Sequence, residues 1–410
     1  MRIAIIGGGA AGMMCAATIC EENPEVEVFL IEKNSTLGKK VLLTGGGRCN
    51  LTTGISDLKL VLKNYPRGEK FLQSAMHNFS PEAVYEWFEN HGLSLKCEKD
   101  NRVFPQSNNS QDVVKVFTNI FTKHQTNLIL NSEVKKVVKK AGEFKITFRS
   151  GKELLVDKVV LTTGGFAYHQ TGSTGDGYTL AESLGHSVSP LAPSLSSFVT
   201  QEPWSHTLAG LSFSEAILKV SNLKTQTVSG PFIFTHKGLS GPAVFALSSL
   251  LAFQDCNQKS PIKITLDLFP NEKLEILIKK IKEIMMKNPK KSFKNNLTNL
   301  IPSSLIEVIG KELKLPLEKK SAEISKEQIQ VVVNFVKGFL LTIVGKTTGE
   351  EFVTAGGVEL SEVNQRTMES KIVPGLYFAG EILNIDGFTG GFNLQAAWTT
   401  GRSAGFGVLL

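Results

Sequence analysis

Apolar and polar positions change their period several times along the chain, and each change marks an element. Residues 2–9, RIAIIGGG, are a short unbroken apolar run that ends in glycine, the pattern of a buried strand entering a turn. AAGMMCAATICEEN at 10–23 has helical spacing and stops before Pro24, and VEVFLIE at 26–32 is a second apolar run. Strand, turn, helix and strand in this order predict the opening βαβ unit of a doubly wound sheet. Residues 133–165, EVKKVVKKAGEFKITFRSGKELLVDKVVLTTGG, read as strands joined by Gly-containing turns, the last running into Gly164 and Gly165.

From about residue 190 the texture changes. Pro190, Pro193 and Pro203 interrupt the chain, SFSEAILKVSN at 212–222 and KSPIKITLDLFP at 259–270 read as strands, and residues 271–337 turn helical and basic. After about 345 the glycine-rich style of the N-terminal part returns. The expected architecture is α/β: a Rossmann-like domain made from both chain ends (1–190 and 354–410), interrupted by a β subdomain (191–270, with a return at 338–353) and a helical basic subdomain (271–337).

Composition narrows the class without naming it. With 410 residues, 41% hydrophobic and 20% charged, the chain is that of an ordinary globular protein with room for more than one core. No apolar run is long enough to span a bilayer and no signal-peptide cleavage pattern opens the chain, so the cytoplasm is the expected location. Five scattered cysteines with no CxxC pair fit reduced thiols rather than disulfides or zinc. The formal charge of +7 is concentrated: residues 271–320 hold twelve lysines against six glutamates and no other charged residue. Read from sequence alone, this is a solvated helical face in preference to a nucleic-acid contact.

Gly7, Gly9 and Gly12 form GxGxxG between a strand and a helix, with Ala10 and Ala11 inside it. The first glycine permits the turn, the second brings the backbone close to a pyrophosphate, and the third lets helix and strand pack closely. Glu32 ends the second strand twenty residues after Gly12, where a carboxylate accepts hydrogen bonds from an adenosine ribose. Three further glycine clusters follow, TGGGRCN (Thr44, Gly45, Gly46, Gly47, Arg48, Cys49, Asn50), TTGG (Thr163, Gly164, Gly165) and the stretch 380–391. Four glycine-lined approaches suit a long FAD better than a nicotinamide cofactor. In the last stretch Gly380 allows close backbone approach, and Glu381 or Asp386 can accept from ribityl hydroxyls. The helix that begins at GGFNLQ can stabilise negative charge on a reduced flavin through its N-terminus.

The segments at 7–16, 37–52, 234–249, 354–371 and 375–405 make the chain resemble the BaiN/RdsA-like (YhiN-type) bacterial NAD(P)/FAD-dependent oxidoreductases, which are distantly similar to the flavoprotein subunits of fumarate reductase and succinate dehydrogenase. The resemblance implies an FAD domain interrupted by a barrel-like β subdomain and a helical subdomain. It also implies FAD contacts at Ala11, Glu32, Lys33, Lys40, residues 44–50, Val134, Gly164, Glu381, Asp386, Asn393 and Leu394, in a motif that includes Gly387, Gly391 and Phe392. One departure stands at Asn384, where that family often has an acidic residue. TGSTGDGYTLAESLGH at 171–186 is fumarate-reductase-like, which makes Thr174, Gly175 and Asp176 candidates for contact with FAD or substrate.

There is no second GxGxxG, so either NAD(P)H is a transient electron donor rather than a resident ligand, or electrons come from another donor. Arg48, Cys49, His169 and His236 are the catalytic candidates, with Tyr168, His206 and Lys237 as further polar residues: His or Tyr can move a proton and Arg can hold a carbonyl or carboxylate. Cys49 beside Arg48 is open to a depressed pKa, with thiol catalysis the minor reading of a stretch that is chiefly a cofactor cradle. Cys15 and Cys20, five apart on the first helix, are expected to be core thiols. Three functions remain open at this point. One is an oxidoreductase acting on a small organic molecule, with C=C reduction in view; the others are a flavin-dependent RNA-modifying protein and a flavin-bound redox or binding module.

Overall fold

The computed structural model describes residues 1–221, 226–347 and 351–410. Asn222, the last residue of one expected strand, and residues 348–350 of the expected return to β structure lie outside them. The chain forms two compact units, residues 1–194 with 349–410 and residues 195–348.

The first unit is built on a five-stranded parallel sheet. Its elements are β1 (Arg2–Ile6), α1 (Ala10–Glu22), β2 (Glu27–Ile31), β3 (Asn127–Ile129), β4 (Lys158–Leu161), α2 (Asp176–Ser183), β5 (Leu376–Phe378) and α3 (Phe392–Gly407). The strand order is β5-β4-β1-β2-β3, with Ile5 opposite Leu30 on one side and Val160 on the other. β1 and β4 are apolar throughout their centres because both faces of a parallel sheet are covered. α1 is buried over Ala11–Cys20 for the same reason: it lies on the sheet and under α3. Small residues set that crossing, since a Cβ on Gly401 would lie 2.4 Å from the carbonyl oxygen of Ala11.

The strand order reverses between β1 and β4. In open α/β sheets the ligand crevice lies outside the carboxyl ends of the strands at this switch point. The glycine cluster at 7–12 follows β1, Glu32 follows β2, the cluster at 163–165 follows β4 and Gly380 follows β5, so four separate sequence signals converge on one edge of one sheet. Two antiparallel three-stranded sheets (Val134–Lys140, Glu143–Phe148, Glu153–Val156; and Thr52–Thr53, Arg102–Pro105, Leu95–Cys97) complete the unit, and Ala192–Ser194 pairs with Val353–Ala355.

The second unit is a closed antiparallel barrel of six strands, with Phe198–Thr200 pairing with both Gly238–Ser240 and Phe339–Lys346 to close the ring. Its filling includes Phe198, Phe232, Phe234, Leu266 and Phe339. The helices Leu274–Lys287, Phe293–Leu297, Ser303–Glu312 and Lys326–Lys337 share this core, the last started by a capping box of Ser325 and Gln328.

Candidate functional site

The turn after β1 is held by three contacts that need no large side chain. Gly7 N–H donates to Ile31 O (2.8 Å), Gly8 N–H donates to Glu32 Oε2 (2.7 Å), and a Cβ on Gly12 would stand 1.9 Å from Gly7 O, so only glycine fits there. Gly9 caps α1 without any side-chain hydrogen bond, and a Cβ placed on it would meet open space. The first N–H groups of α1 therefore face an unobstructed side, the arrangement that holds a phosphate. Glu32 Oε1 accepts from the backbone (2.8 Å) and side chain (2.7 Å) of Asn34, which fixes the carboxylate at the end of β2.

The stretch 171–176 lies over this corner. Asn34 Nδ2 donates to Thr171 O (2.9 Å), and Lys33 Nζ donates to Thr174 Oγ1 (2.5 Å) and Asp176 Oδ2 (2.8 Å). Burial acts to raise the Asp176 carboxyl, but the hydrogen bonds from Lys33 and Thr174 outweigh it and hold the group below the ordinary range. A cleft of about 400 Å3 opens beside Lys33 and Asn34, lined also by Asn131, Ser132, Glu133, Phe148, Arg149 and Ser150. Val134 begins the strand next to it and is buried.

TGGGRCN forms a tight reversal with φ of 59°, 68° and 85° at Gly45, Gly46 and Gly47. Cys49 N–H donates to Thr44 O (2.9 Å), and the Arg48 side chain leaves the turn to lie over Phe104, 3.8 Å from the ring centroid, with Nη1 donating to Glu98 Oε1 (2.8 Å). The Cys49 thiol is not activated by its neighbour. The thiol has no exposed surface, burial pushes it up to about 12 against a weaker opposing hydrogen bond with Thr44, and the neighbouring guanidinium is committed elsewhere. Lys40 Nζ reaches Glu381 Oε2 (2.6 Å), while Glu381 Oε1 accepts from Thr354 N–H (2.9 Å).

α3 starts at Gly391, which again caps without a side chain; its φ is 93°, and a Cβ there would lie 2.2 Å from Thr52 O. The Asn50 amide, turned with its oxygen toward Gly391, accepts from Gly391 N–H (2.9 Å). The turn at 44–50 is thereby tied to the N-terminus of α3. Asn393 closes the preceding loop on itself, accepting from Gly387 N–H and donating to Gly387 O (2.8 Å each). Tyr65 Oη donates to Phe392 O (2.7 Å), and Gly380 N–H donates to Thr400 Oγ1 (2.9 Å). Leu394 is half-buried in the first turn.

Not every expected residue faces this edge with a free group. Asp386 is fully buried, and both its oxygens are engaged by the Arg67 guanidinium, with Ser194 Oγ also donating (2.7 Å). His169 is exposed, with Nε2 3.1 Å from Phe166 O; His236 is exposed on the second unit, between Thr227–Phe234 and Gly238–Ser240. Cys15 and Cys20 are buried in α1. Sequence reasoning missed Asn34, Arg67, Thr354 and Glu98. Each is joined to its partner by a contact that no local period signals, apart from Asn34, whose short polar side chain stands two positions after Glu32.

Strand, glycine turn and helix at a topological switch point define a protein of the Rossmann type. The HI0933-like protein Rossmann domain matches residues 1–407, and the chain belongs to that family. It is 30% identical over 410 residues to the 3-dehydro-bile acid delta(4,6)-reductase of Clostridium scindens, covering 98% of each chain. It is also 30% identical over 400 residues to the ribosomal RNA dihydrouridine synthase of Escherichia coli K12, covering 97% of this chain and 95% of that one. Among solved structures it shares the fold of a 3-ketosteroid-delta4-(5alpha)-dehydrogenase from Rhodococcus jostii, with a TM-score of 0.50, 16% identity and coverage of 100% and 96%. A quinol-fumarate reductase with menaquinol molecules has the same fold, with a TM-score of 0.52, 13% identity and coverage of 99% and 70%.

Proposed function

We propose that the protein is an FAD-dependent oxidoreductase that reduces a C=C bond conjugated to a carbonyl in a small organic substrate, with NAD(P)H as a transient donor. The observation that carries this is the pair of helix N-termini, at Gly9 and Gly391, both without side-chain caps, on one construction in which the turn at 44–50 is bonded to the second of them. One N-terminus suits a pyrophosphate and the other an electron-rich ring edge, so the pair matches a ligand as long as FAD.

The residues present fit that group. Glu32 is fixed where ribose hydroxyls would add to its acceptors, and the cleft beside Lys33 has room for an adenine. Gly46 and Gly47 leave open space where a Cβ would project, and Thr163 Oγ1 and Asn384 Oδ1 are buried polar atoms with no partner among the described residues. FAD, when bound, supplies two-electron hydride chemistry. The chain's part is to hold the phosphates at α1, the ribose at Glu32 and negative charge at α3, with Thr354 and Glu381, the latter paired with Lys40, as the polar groups nearest to Gly165. Both curated relatives carry names that denote saturation of a conjugated ring, which supports this reaction type.

The purified protein should be yellow, and anaerobic NADH or NADPH should bleach the flavin bands. A preparation that stays colourless after added FAD would end this reading. A second reading, reduction of a base within RNA, is favoured by one feature of the second unit. Ser292 bridges Lys320 and Ser321 N–H donates to Lys291 O, which places Lys287, Lys290, Lys291, Lys319 and Lys320 along one exposed edge. Binding through about five phosphates would give a log–log salt slope of about −3.5. A gel shift with transfer RNA that shows no salt-sensitive complex removes this second reading.

A further inference from the structure

Arg48 is clamped on one face and along one edge while its other edge is open. Its guanidinium carbon stands 3.8 Å from the centroid of Phe104, and Nη1 donates to Glu98 Oε1 at 2.8 Å. The approach of Nη1 to Asn108 Oδ1, at 3.5 Å, is too long to hold it. Among the described residues nothing takes Nε–H or Nη2–H, and the side chain keeps 33% of its surface exposed. Arg102, also near Phe104 at 5.5 Å from the ring centroid, makes the contrast: its Nε is bonded to Asp100 (2.7 Å) and its Nη2 lies 3.5 Å from Glu98. Arg48 therefore presents a preset pair of parallel donors, and that fork matches a single planar oxygen or an oxygen pair in a way an ammonium does not. The fork stands between the glycine reversal at 45–47 and Asn50, the residue bonded to the start of α3.

We propose that this open edge of Arg48 holds the carbonyl oxygen of the substrate, an inference that rests on the reductase reading. As a hydride from a reduced flavin adds to the carbon β to the carbonyl, the C=C electron pair moves to the α carbon and negative charge develops on the oxygen. A proton from solvent or a neighbouring acid then joins the α carbon, so that one π bond is lost, two C–H bonds form, and the flavin is oxidised by two electrons. Donors fixed beforehand at the oxygen stabilise that charge without reorganising. Phe104 and Glu98 act through Arg48 as positioning residues.

The test uses the flavin-loaded protein and two conjugated carbonyl probes, androst-4-ene-3,17-dione and uridine 5′-monophosphate, each titrated while the visible flavin spectrum is followed without turnover. Wild type should show saturable perturbation with at least one probe. Arg48→Ala should keep its flavin and weaken that probe by roughly 10- to 100-fold, the worth of two charge-assisted hydrogen bonds. Arg48→Lys should recover only part of the loss, and added guanidinium should restore binding to Arg48→Ala, which a purely structural defect would not allow. Loss of flavin from Arg48→Ala, pointing to a cofactor phosphate as the ligand, overturns the inference; so does an unchanged probe affinity, or a wild type that binds flavin but neither probe. A wild type that binds no flavin removes the reductase reading and this inference together.

Discussion

Replacing Arg67 with Met tests how far the C-terminal motif depends on a buried charge. Asp386 has no exposed surface, and Arg67, whose side chain is 17% exposed, engages both its oxygens while Ser194 Oγ supplies a further donor. Methionine fills the space of the arginine stem but leaves the carboxylate with only partial compensation. Removing one partner of a buried ion pair costs about 3–5 kcal/mol. For a unit of this size each kcal/mol moves Tm by roughly 2–4 °C, so Arg67→Met should melt about 6–20 °C below wild type. The paired replacement Arg67→Met with Asp386→Leu removes both charges and should recover much of the loss, because nothing charged is left in the interior. Thermal unfolding followed by far-UV circular dichroism measures these two variants and Asp386→Leu alone. A single variant that melts within about 2 °C of wild type, or a double variant whose loss equals the sum of the singles, would refute the reasoning.

Three further outcomes are expected. Gly12→Ala should express as a folded protein that retains little flavin, because its Cβ would meet Gly7 O at 1.9 Å and the turn must move; full flavin content in that variant would mean that the turn does not hold the cofactor. Cys49, with no exposed surface and its thiol pushed up to about 12, should resist thiol reagents in the native state and react once the protein is unfolded, and Cys49→Ser should leave the rate of flavin reduction unchanged. His186 is buried, with Nδ1 2.9 Å from Glu362 and Nε2 2.7 Å from Ser370; burial lowers its pKa, more than the Glu362 hydrogen bond raises it. The unfolded chain thus takes up the proton first, and stability is lost as pH falls from about 6.5 toward the folded value. His186→Gln should flatten that limb of the denaturation curve relative to wild type, and equal slopes in the two proteins would contradict the assignment.

How much of this was legible depended on the distance over which each contact acts. The β1 turn, α1 and Glu32 are written within 32 residues, and local period with glycine spacing is enough to place them. The basic helices at 274–337 likewise follow from periodicity. The sheet order was not legible, because β4 and β5 join β1 and β2 from positions more than a hundred residues away. Nor was closure of the barrel, which depends on Phe198 meeting Lys346. Asp386 shows the limit most clearly. A carboxylate in a glycine-rich motif reads as a ligand for hydroxyls, yet its partner Arg67 lies 319 positions earlier and carries no signal of the pairing. Cys49 fails for the converse reason. Its neighbour in sequence is an arginine, but the backbone φ of 61° sends the two side chains into different surroundings.

The crossing of α1 and α3 ties the nucleotide turn to a distant part of the sequence. The carbonyl of Ala11 packs against Gly401, and Gly405 presses on Thr18, so the helix that opens the nucleotide turn is covered by the last sixteen-residue helix of the chain. The seat of the turn at 7–12 is therefore shaped from a distant part of the sequence: a side chain added at Gly401 would push on Ala11 without touching any of the turn's glycines.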